Sequence, residues 1–279
     1  MLTFETRKDI SEHVQNLISK GFSIGFVPTM GALHEGHISL VNRSVKENDK
    51  TIVSIFVNPI QFNNPVDLEK YPRNLDKDIM LLKEAGADIA FVPSVEDMYP
   101  DEITETYEFG DLGNMMEGKF RPGHFNGVAI VVERLFKIVK PHKAYFGEKD
   151  YQQLMIIKSL VSQINSPVKI IPCPISREED GLARSSRNIR LKPEMRQAAP
   201  FIYQQLLKAR EMSGNYPAEE LRQEIEKSFA AHPLLSLEYI EIADGDSLKP
   251  ITGAITDNSY AFIAVNAGDI RLIDNIRLI

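Results

Sequence analysis

Two histidines three positions apart, His34 and His37, are the first residues whose types and spacing could do chemistry. They close the stretch Phe26-Val27-Pro28-Thr29-Met30-Gly31-Ala32-Leu33-His34-Glu35-Gly36-His37. An apolar run over residues 22–27 precedes the turn and reads as a buried strand. Beyond it Ile38, Leu40, Val41 and Val45 recur at helical spacing. The pair therefore sits where a strand hands over to a helix. The first N–H groups of a helix are unpaired and its dipole favours negative charge there. Two imidazoles at such a place could each donate a hydrogen bond to a phosphate. A single histidine is usually a satisfied core or surface residue, but two in a glycine-flanked turn point to function. A zinc site is the competing reading. His34-Glu35-Gly36-His37 is one residue short of the H-E-x-x-H spacing, and a third ligand would have to come from His124 or a carboxylate. Nothing else in the chain has ligand spacing, so anion binding is preferred over metal. No G-x-x-x-x-G-K-S/T loop occurs, and no G-x-G-x-x-G follows the first strand. Phosphate binding would rest on helix N-termini and cationic side chains.

Other polar groups fall at comparable places. Gly147-Glu148-Lys149-Asp150 lies between a strand end and a helix start. Lys149 could meet a phosphate as a compact point charge, and Asp150 could accept from sugar hydroxyls. Gln152 and Gln153 open the next helix. Asn58 and Gln61, beside Pro59 and Phe62, suit a small hydroxylated carboxylate. Arg184-Ser185-Ser186-Arg187-Asn188 reads either as a phosphate clamp or as a solvated linker, and a hinge position would make it mobile. Ser39 and Cys173 find no base at a convincing spacing, so covalent catalysis is disfavoured. Histidines, a lysine, arginines and hydroxyls suit stabilising charge on a transferring phosphoryl group.

The elements that must position these residues follow from periodicity. Ile10, Val14, Leu17 and Ile18 mark a helix stopped at Gly21. Strands are expected at residues 51–57, 88–92, 143–146 and 168–173, and helices near residues 75–86, 128–139 and 151–164. Alternating short apolar strands and helices indicate a parallel sheet covered on both faces, an α/β fold. Ligands of such sheets bind at the carboxyl ends of the strands, where the histidine turn and the Asn58–Gln61 segment both lie. Residues 94–123 read as a long irregular loop. The character changes near residue 175. Helices at 193–212 and 217–231, with strands at 237–242, 260–265 and 271–273, make a smaller α+β domain. The expected division is 1–175 and 176–279.

At 279 residues the chain is long enough for two domains, with 43% hydrophobic and 25% charged residues. The formal charge of −7 argues against a nucleic-acid partner. Its one cysteine, Cys173, permits no intrachain disulfide and reads as a buried small hydrophobe. No apolar run approaches membrane-spanning length, and the expectation is a cytoplasmic protein.

Four blocks taken in order carry a resemblance. Pro28 to His37, Phe56-Val57-Asn58-Pro59-Ile60-Gln61-Phe62, Phe146-Gly147-Glu148-Lys149-Asp150-Tyr151-Gln152-Gln153 and Ser185-Ser186-Arg187-Asn188 resemble the pantothenate synthetase (pantoate–β-alanine ligase) family. Tyr71-Pro72-Arg73 and Arg121-Pro122-Gly123-His124-Phe125 look like it as well. A lone H-x-G-H is shared with many nucleotidylyltransferases; the blocks together are specific. The resemblance implies a Rossmann-like ATP- and pantoate-binding domain, a smaller C-terminal lid domain and a homodimer. It implies adenylation of pantoate by Mg-ATP followed by attack of β-alanine, releasing pyrophosphate and AMP. It places Met30, Gly31, Ala32, Leu33, His34, Glu35, Gly36 and His37 along ATP, with both histidines on the phosphates. Gly147, Glu148, Lys149 and Asp150 would also bind ATP. Ser176, Arg184, Ser185, Ser186 and Arg187 would contact adenine and phosphates. Gln61 and Gln153 would hold pantoate, Gln61 would also help place β-alanine, and Asn58 falls to the substrates. Catalysis would draw on His34, His37, Lys149, Ser185, Ser186 and Arg187. Mg²⁺ would arrive with ATP, with no protein metal site. Arg184 stands where the family more often has methionine.

Overall fold

In the computed structural model, which describes residues Met1–Ile279, strands and helices alternate as far as Cys173. In order they are β1 Leu2–Phe4, α1 Arg7–Ser19, β2 Ile24–Thr29, α2 Glu35–Glu47, β3 Lys50–Ile55, α3 Pro65–Glu69, α4 Leu75–Glu84, β4 Ile89–Phe91, α5 Val95–Met98, α6 Met116–Phe120, α7 His124–Val139, β5 Lys143–Gly147, α8 Tyr151–Gln163 and β6 Lys169–Cys173. Then come α9 Pro193–Ala198, α10 Phe201–Met212, α11 Ala218–Ala230, β7 Leu235–Asp244, β8 Ser259–Ala267 and β9 Ile270–Arg277. The chain forms two compact units, 1–148 with 153–174, and 149–152 with 175–279.

In the first unit six strands lie in the order β1-β4-β3-β2-β5-β6, every pair parallel. Alternation along the strands decides the layers, because successive side chains point to opposite faces. Phe26, Ile52, Ile89, Phe91, Ala144 and Phe146 pack with Ile10 and Val14 of α1, Val128 and Leu135 of α7, and Leu154 and Ile157 of α8. Their neighbours Val27, Val53, Ala90 and Tyr145 pack with Leu40 and Val41 of α2 and Leu82 of α4. Both faces are covered, as the continuous apolar strands require. The chain runs outward from β2 through β3 to β4, then returns to β5 on the other side of β2. A crevice opens at such a reversal, beyond the carboxyl ends of the strands. β2 ends at Thr29 and β5 at Gly147.

The second unit holds a three-stranded antiparallel sheet, β7-β8-β9. Ile202 and Leu206 of α10 and Leu221, Ile225 and Phe229 of α11 close its core against Ile240, Ile242, Ile263, Val265 and Leu272.

Several details depart from the periodicity. β1 escaped it because three residues pairing only with β4 carry no pattern. Residues 94–123, expected as loop, contain α5, α6 and a 3₁₀ turn at Gly110–Gly113. The single helix expected at 193–212 is two, since Pro200 has no N–H to continue the ladder. β9 spans eight residues instead of three, because Asp274 and Asn275 interrupt its apolar pattern while β8 pairs with it at every position.

Helix α7 approaches the turn after β3 unusually closely. A Cβ on Gly127 would collide with the Ile60 carbonyl and stand 2.8 Å from Gln61 Cα, both backbone. Alanine would gain about 1 kcal/mol of helix propensity, but overpacking against backbone costs about 1–3 kcal/mol or more. Gly127→Ala is therefore expected to lower the denaturant midpoint, with a net loss of about 1–2 kcal/mol. An unchanged or raised midpoint would mean that the helix is not held this close.

Candidate active site

The turn after β2 is built from backbone constraints. Gly31 and Ala32 take φ of 78° and 49° in succession. A Cβ at Gly31 would lie 2.9 Å from Asp78 Oδ2 and 3.0 Å from Ile55 Cγ2, so neither the conformation nor the space admits a side chain. The Ala32 N–H donates to Asp78 Oδ2 at 2.9 Å and the Leu33 N–H to Asp78 Oδ1 at 2.7 Å. The Gly31 N–H donates to Thr29 Oγ1, whose hydroxyl donates to the Ser54 carbonyl on β3. Burial pushes the Asp78 carboxyl above its usual range, while the Leu33 and Ala32 N–H groups pull against that shift. Leu33 is buried in the α2-side core. Ala32 and Leu33, expected along the nucleotide, spend their N–H groups on Asp78.

His34 follows as the N-cap of α2, in extended conformation. Its Nδ1 accepts the Gly36 N–H at 3.1 Å, and His37 Nδ1 accepts the His34 N–H at 3.4 Å. This is the reciprocal arrangement of a capping box with two imidazoles in place of the usual hydroxyl and carboxylate. A nitrogen that accepts a backbone N–H carries no proton, so both rings are assigned as Nε2–H tautomers. Their centroids are 4.1 Å apart. Two Nε2–H donors on one helix N-terminus could each meet an anionic oxygen.

The turn after β3 supplies a different surface. Asn58 is buried, at 1% exposure, and Gln61 nearly so. Asn58 Nδ2 donates to Gln61 Oε1 and to the Gly127 carbonyl, both at 3.1 Å, and Gln61 Nε2 meets Met30 Sδ at 3.0 Å. His124 Nδ1 lies 2.8 Å from the Gln61 carbonyl and so carries the donor hydrogen. Met30, which precedes the histidine turn, is thus brought to Gln61 and its partner Asn58 beyond the paired ends of β2 and β3. Cys173 is buried and its thiol is pushed upward by that burial, which leaves it a poor nucleophile. No cluster of three or more His, Cys, Asp or Glu side chains is placed to hold a metal ion.

In the second unit, residues 176–184 fold into a hairpin. Arg177 bridges Ala183, and the Arg184 N–H donates to the Ser176 carbonyl at 3.0 Å. Arg184 turns its guanidinium back onto this hairpin, 3.1 Å from Glu178 Oε2 and 3.2 Å from the Arg177 carbonyl. A side-chain contact to a nucleotide would have to compete with both. Ser185 Oγ accepts the Arg187 N–H at 3.3 Å, and the Asn188 N–H donates to the Ser185 carbonyl, so Ser185 to Asn188 form a turn. Strand β9 anchors both charged segments of this unit. Asp274 takes Arg177 through two bonds of 2.6 and 3.0 Å, and the Arg177 guanidinium lies 3.8 Å from the Tyr203 ring. Asn275 Nδ2 donates to the Lys149 carbonyl at 3.0 Å. Lys149 Nζ is 3.8 Å from the exposed Asp150, a loose pairing.

Comparison with known proteins decides the family. The family model described as pantoate-beta-alanine ligase matches residues 2–277. The chain belongs to the pantoate–β-alanine ligase family. This ligase is 51% identical to the pantothenate synthetase of Bacteroides fragilis, over 99% of both chains. It is 50% identical to that of Christiangramia forsetii, over 100% of this chain and 99% of the relative. The crystal structure of pantothenate synthetase from Thermus thermophilus matches it with a TM-score of 0.93 at 41% identity, over 100% of this chain and 99% of that one. A pantoate-beta-alanine ligase from Francisella tularensis, described as complexed with beta-gamma ATP and beta-alanine, matches with a TM-score of 0.84 at 42% identity, over 100% and 98%. The resemblance carried by the four motif blocks is thereby established over the whole chain.

Sequence reasoning missed the supporting residues. Asp78 looked like an ordinary acid in the first turn of a helix. Arg177, Asp274 and Asn275 sat in segments with no motif, and their signal lies only in long-range pairing.

His34→Ala and His37→Ala are each expected to lower turnover about 100-fold or more, on the scale of losing a charge-stabilising donor. The His34 variant should also lose about 1 kcal/mol of stability with its cap, leaving the chain folded. Near-normal steady-state turnover in both variants would remove this turn from the mechanism.

Proposed function

We propose that this ligase condenses pantoate with β-alanine, using ATP and passing through an enzyme-bound pantoyl adenylate. The observation that carries the proposal is the reciprocal histidine cap beyond the carboxyl end of β2, which assigns the hydrogen of each ring to Nε2 and brings the two rings to 4.1 Å between centroids. The Francisella relative's description as a complex with ATP and beta-alanine supports the choice of those two substrates. In the first step a pantoate carboxylate oxygen attacks the α-phosphorus. The bond from that phosphorus to the bridging oxygen breaks, and pyrophosphate leaves with the electron pair. In the second step the amine of β-alanine attacks the acyl carbon, the C–O bond to AMP breaks, and the amine nitrogen loses a proton. Neither step needs a covalent bond to the protein.

The role assigned to His34 and His37 is to donate from Nε2 to phosphate oxygens, where charge builds as pyrophosphate departs. Gln61, whose Oε1 already accepts from Asn58, would offer N–H to the acid substrate. Gln153 is assigned to the same acid, and Lys149, Asp150, Ser176, Ser185, Ser186 and Arg187 to the nucleotide. These assignments rest on motif order and chemical type. Magnesium commonly keeps waters and binds through substrate phosphates with one or two carboxylates. Without a three-carboxylate cage in the chain, Mg²⁺ would come with ATP and neutralise its phosphates. A homodimer is proposed on the family resemblance alone.

The test is isotope exchange. With Mg-ATP and pantoate but no amine, labelled pyrophosphate should enter ATP, and adding β-alanine should drive net formation of AMP and pantothenate. Exchange that strictly required the amine would count against a free adenylate, and ADP as product would overturn the proposal.

A further inference from the structure

The orientation of the Gln61 amide follows from a chain of donors and acceptors that starts outside the motifs. The Gly127 carbonyl can only accept, so the Asn58 atom facing it at 3.1 Å must be Nδ2. The opposite atom is then Oδ1, and it takes the phenolic hydroxyl of Tyr99 at 2.7 Å. The second Nδ2 hydrogen goes to Gln61 Oε1 at 3.1 Å. Gln61 is thereby forced to present its nitrogen on the other side, where it meets Met30 Sδ, a weak acceptor. One amide hydrogen remains for a stronger one. The Gln61 backbone is fixed separately, by His124 on its carbonyl and by α7 pressed against Ile60 at Gly127.

Tyr99 is itself held from behind. The Arg134 guanidinium lies 4.8 Å from its ring, donates to the Met98 carbonyl at 2.9 Å, and pairs with both oxygens of Glu105 at 2.7 and 3.0 Å. Phe56, just past the end of β3, packs against the same ring at 6.1 Å between centroids. Burial pushes the phenol above its ordinary range, so the hydroxyl stays protonated and able to donate.

We propose that Tyr99 is a positioning residue for the acid substrate: its hydroxyl, acting through Asn58, locks the Gln61 amide with N–H outward, so that this position selects a substrate oxygen that accepts, a carboxylate or hydroxyl oxygen. Asn58 then serves the substrate through Gln61 and not by direct contact, as its 1% exposure requires. The proposal rests on the assignment of Gln61 to pantoate, and it predicts an effect on that substrate that ATP does not share.

The variant is Tyr99→Phe, which keeps the ring, the Arg134 stacking and the Phe56 contact while removing the one donor. Loss of that donor leaves Asn58 Oδ1 buried without it; the Gly127 carbonyl still sets which Asn58 atom faces it, but the Asn58 amide is held on one side only and the Gln61 amide it orients is loosened. KM for pantoate should rise about tenfold, with KM for ATP unchanged within about twofold and the thermal midpoint lower by about 2–6 °C. Gln61→Ala should raise pantoate KM at least as much. In the Gln61→Ala background Tyr99→Phe should add little, since the residue through which it acts is gone. A Tyr99→Phe enzyme that loses stability and turnover while KM for both substrates stays put would reduce Tyr99 to a packing role and overturn the proposal. If Gln61→Ala raises pantoate KM and Tyr99→Phe does not, the relay fails while Gln61 keeps its assignment. If Gln61→Ala leaves pantoate KM unchanged, the assignment fails and the relay with it.

Discussion

A buried carboxylate gripping two consecutive backbone N–H groups is the constraint on which the first unit's site depends. Asp78, 2% exposed, holds Ala32 and Leu33 in a turn whose residues 31 and 32 both carry positive φ. For Ala32 that conformation costs about 1 kcal/mol or more, and charge-assisted bonds are strong enough to offset it. The direction in which the chain enters α2 is set there. His34 becomes the N-cap, its ring reaches Gly36, and His37 reaches back to His34. The chemistry of the imidazoles is then decided by the backbone: both Nδ1 lone pairs accept N–H groups, so the hydrogen of each ring belongs on Nε2.

The same economy of polar groups recurs in the turn after β3 and in the second unit. Asn58 and Gln61 are amides whose oxygen and nitrogen are told apart only by what surrounds them, and a single backbone carbonyl, that of Gly127, makes the distinction. On β9, Asp274 holds the hairpin through Arg177, and its neighbour Asn275 holds the Lys149 carbonyl. A buried ion pair of this kind is weak evidence for net stability, but removal of one partner would leave a charge stranded. Its clearer contribution is to fix the hairpin that leads into the Ser185–Arg187 turn. In each case the motif residues that touch ligands in the proposed reaction are oriented by residues that belong to no motif.

This explains what was legible in the sequence. The sheet and its two helical layers follow from Phe26/Val27, Ile52/Val53 and Tyr145/Phe146, whose alternation is local and periodic. The histidine turn, Gln61 and Lys149 announced themselves by type and by falling at strand ends. Asp78, Tyr99 and Asp274 did not. Asp78 lies 46 residues from Ala32, Tyr99 41 from Asn58, and Arg177 97 from Asp274. An acid in a helical first turn, a tyrosine before a proline and an aspartate in an edge strand each have an ordinary local explanation. Their roles arise from pairings that only the folded topology creates, and no local pattern encodes those.

The claim that the backbone fixes the histidine tautomers can be read directly from long-range ¹H–¹⁵N correlation spectra of uniformly ¹⁵N-labelled protein in neutral-to-alkaline buffer. The account predicts that His34 and His37 both show an unprotonated Nδ1 and a protonated Nε2. A ring found as the Nδ1–H tautomer at either position would contradict it, because that nitrogen could not then accept the backbone N–H on which the site is built.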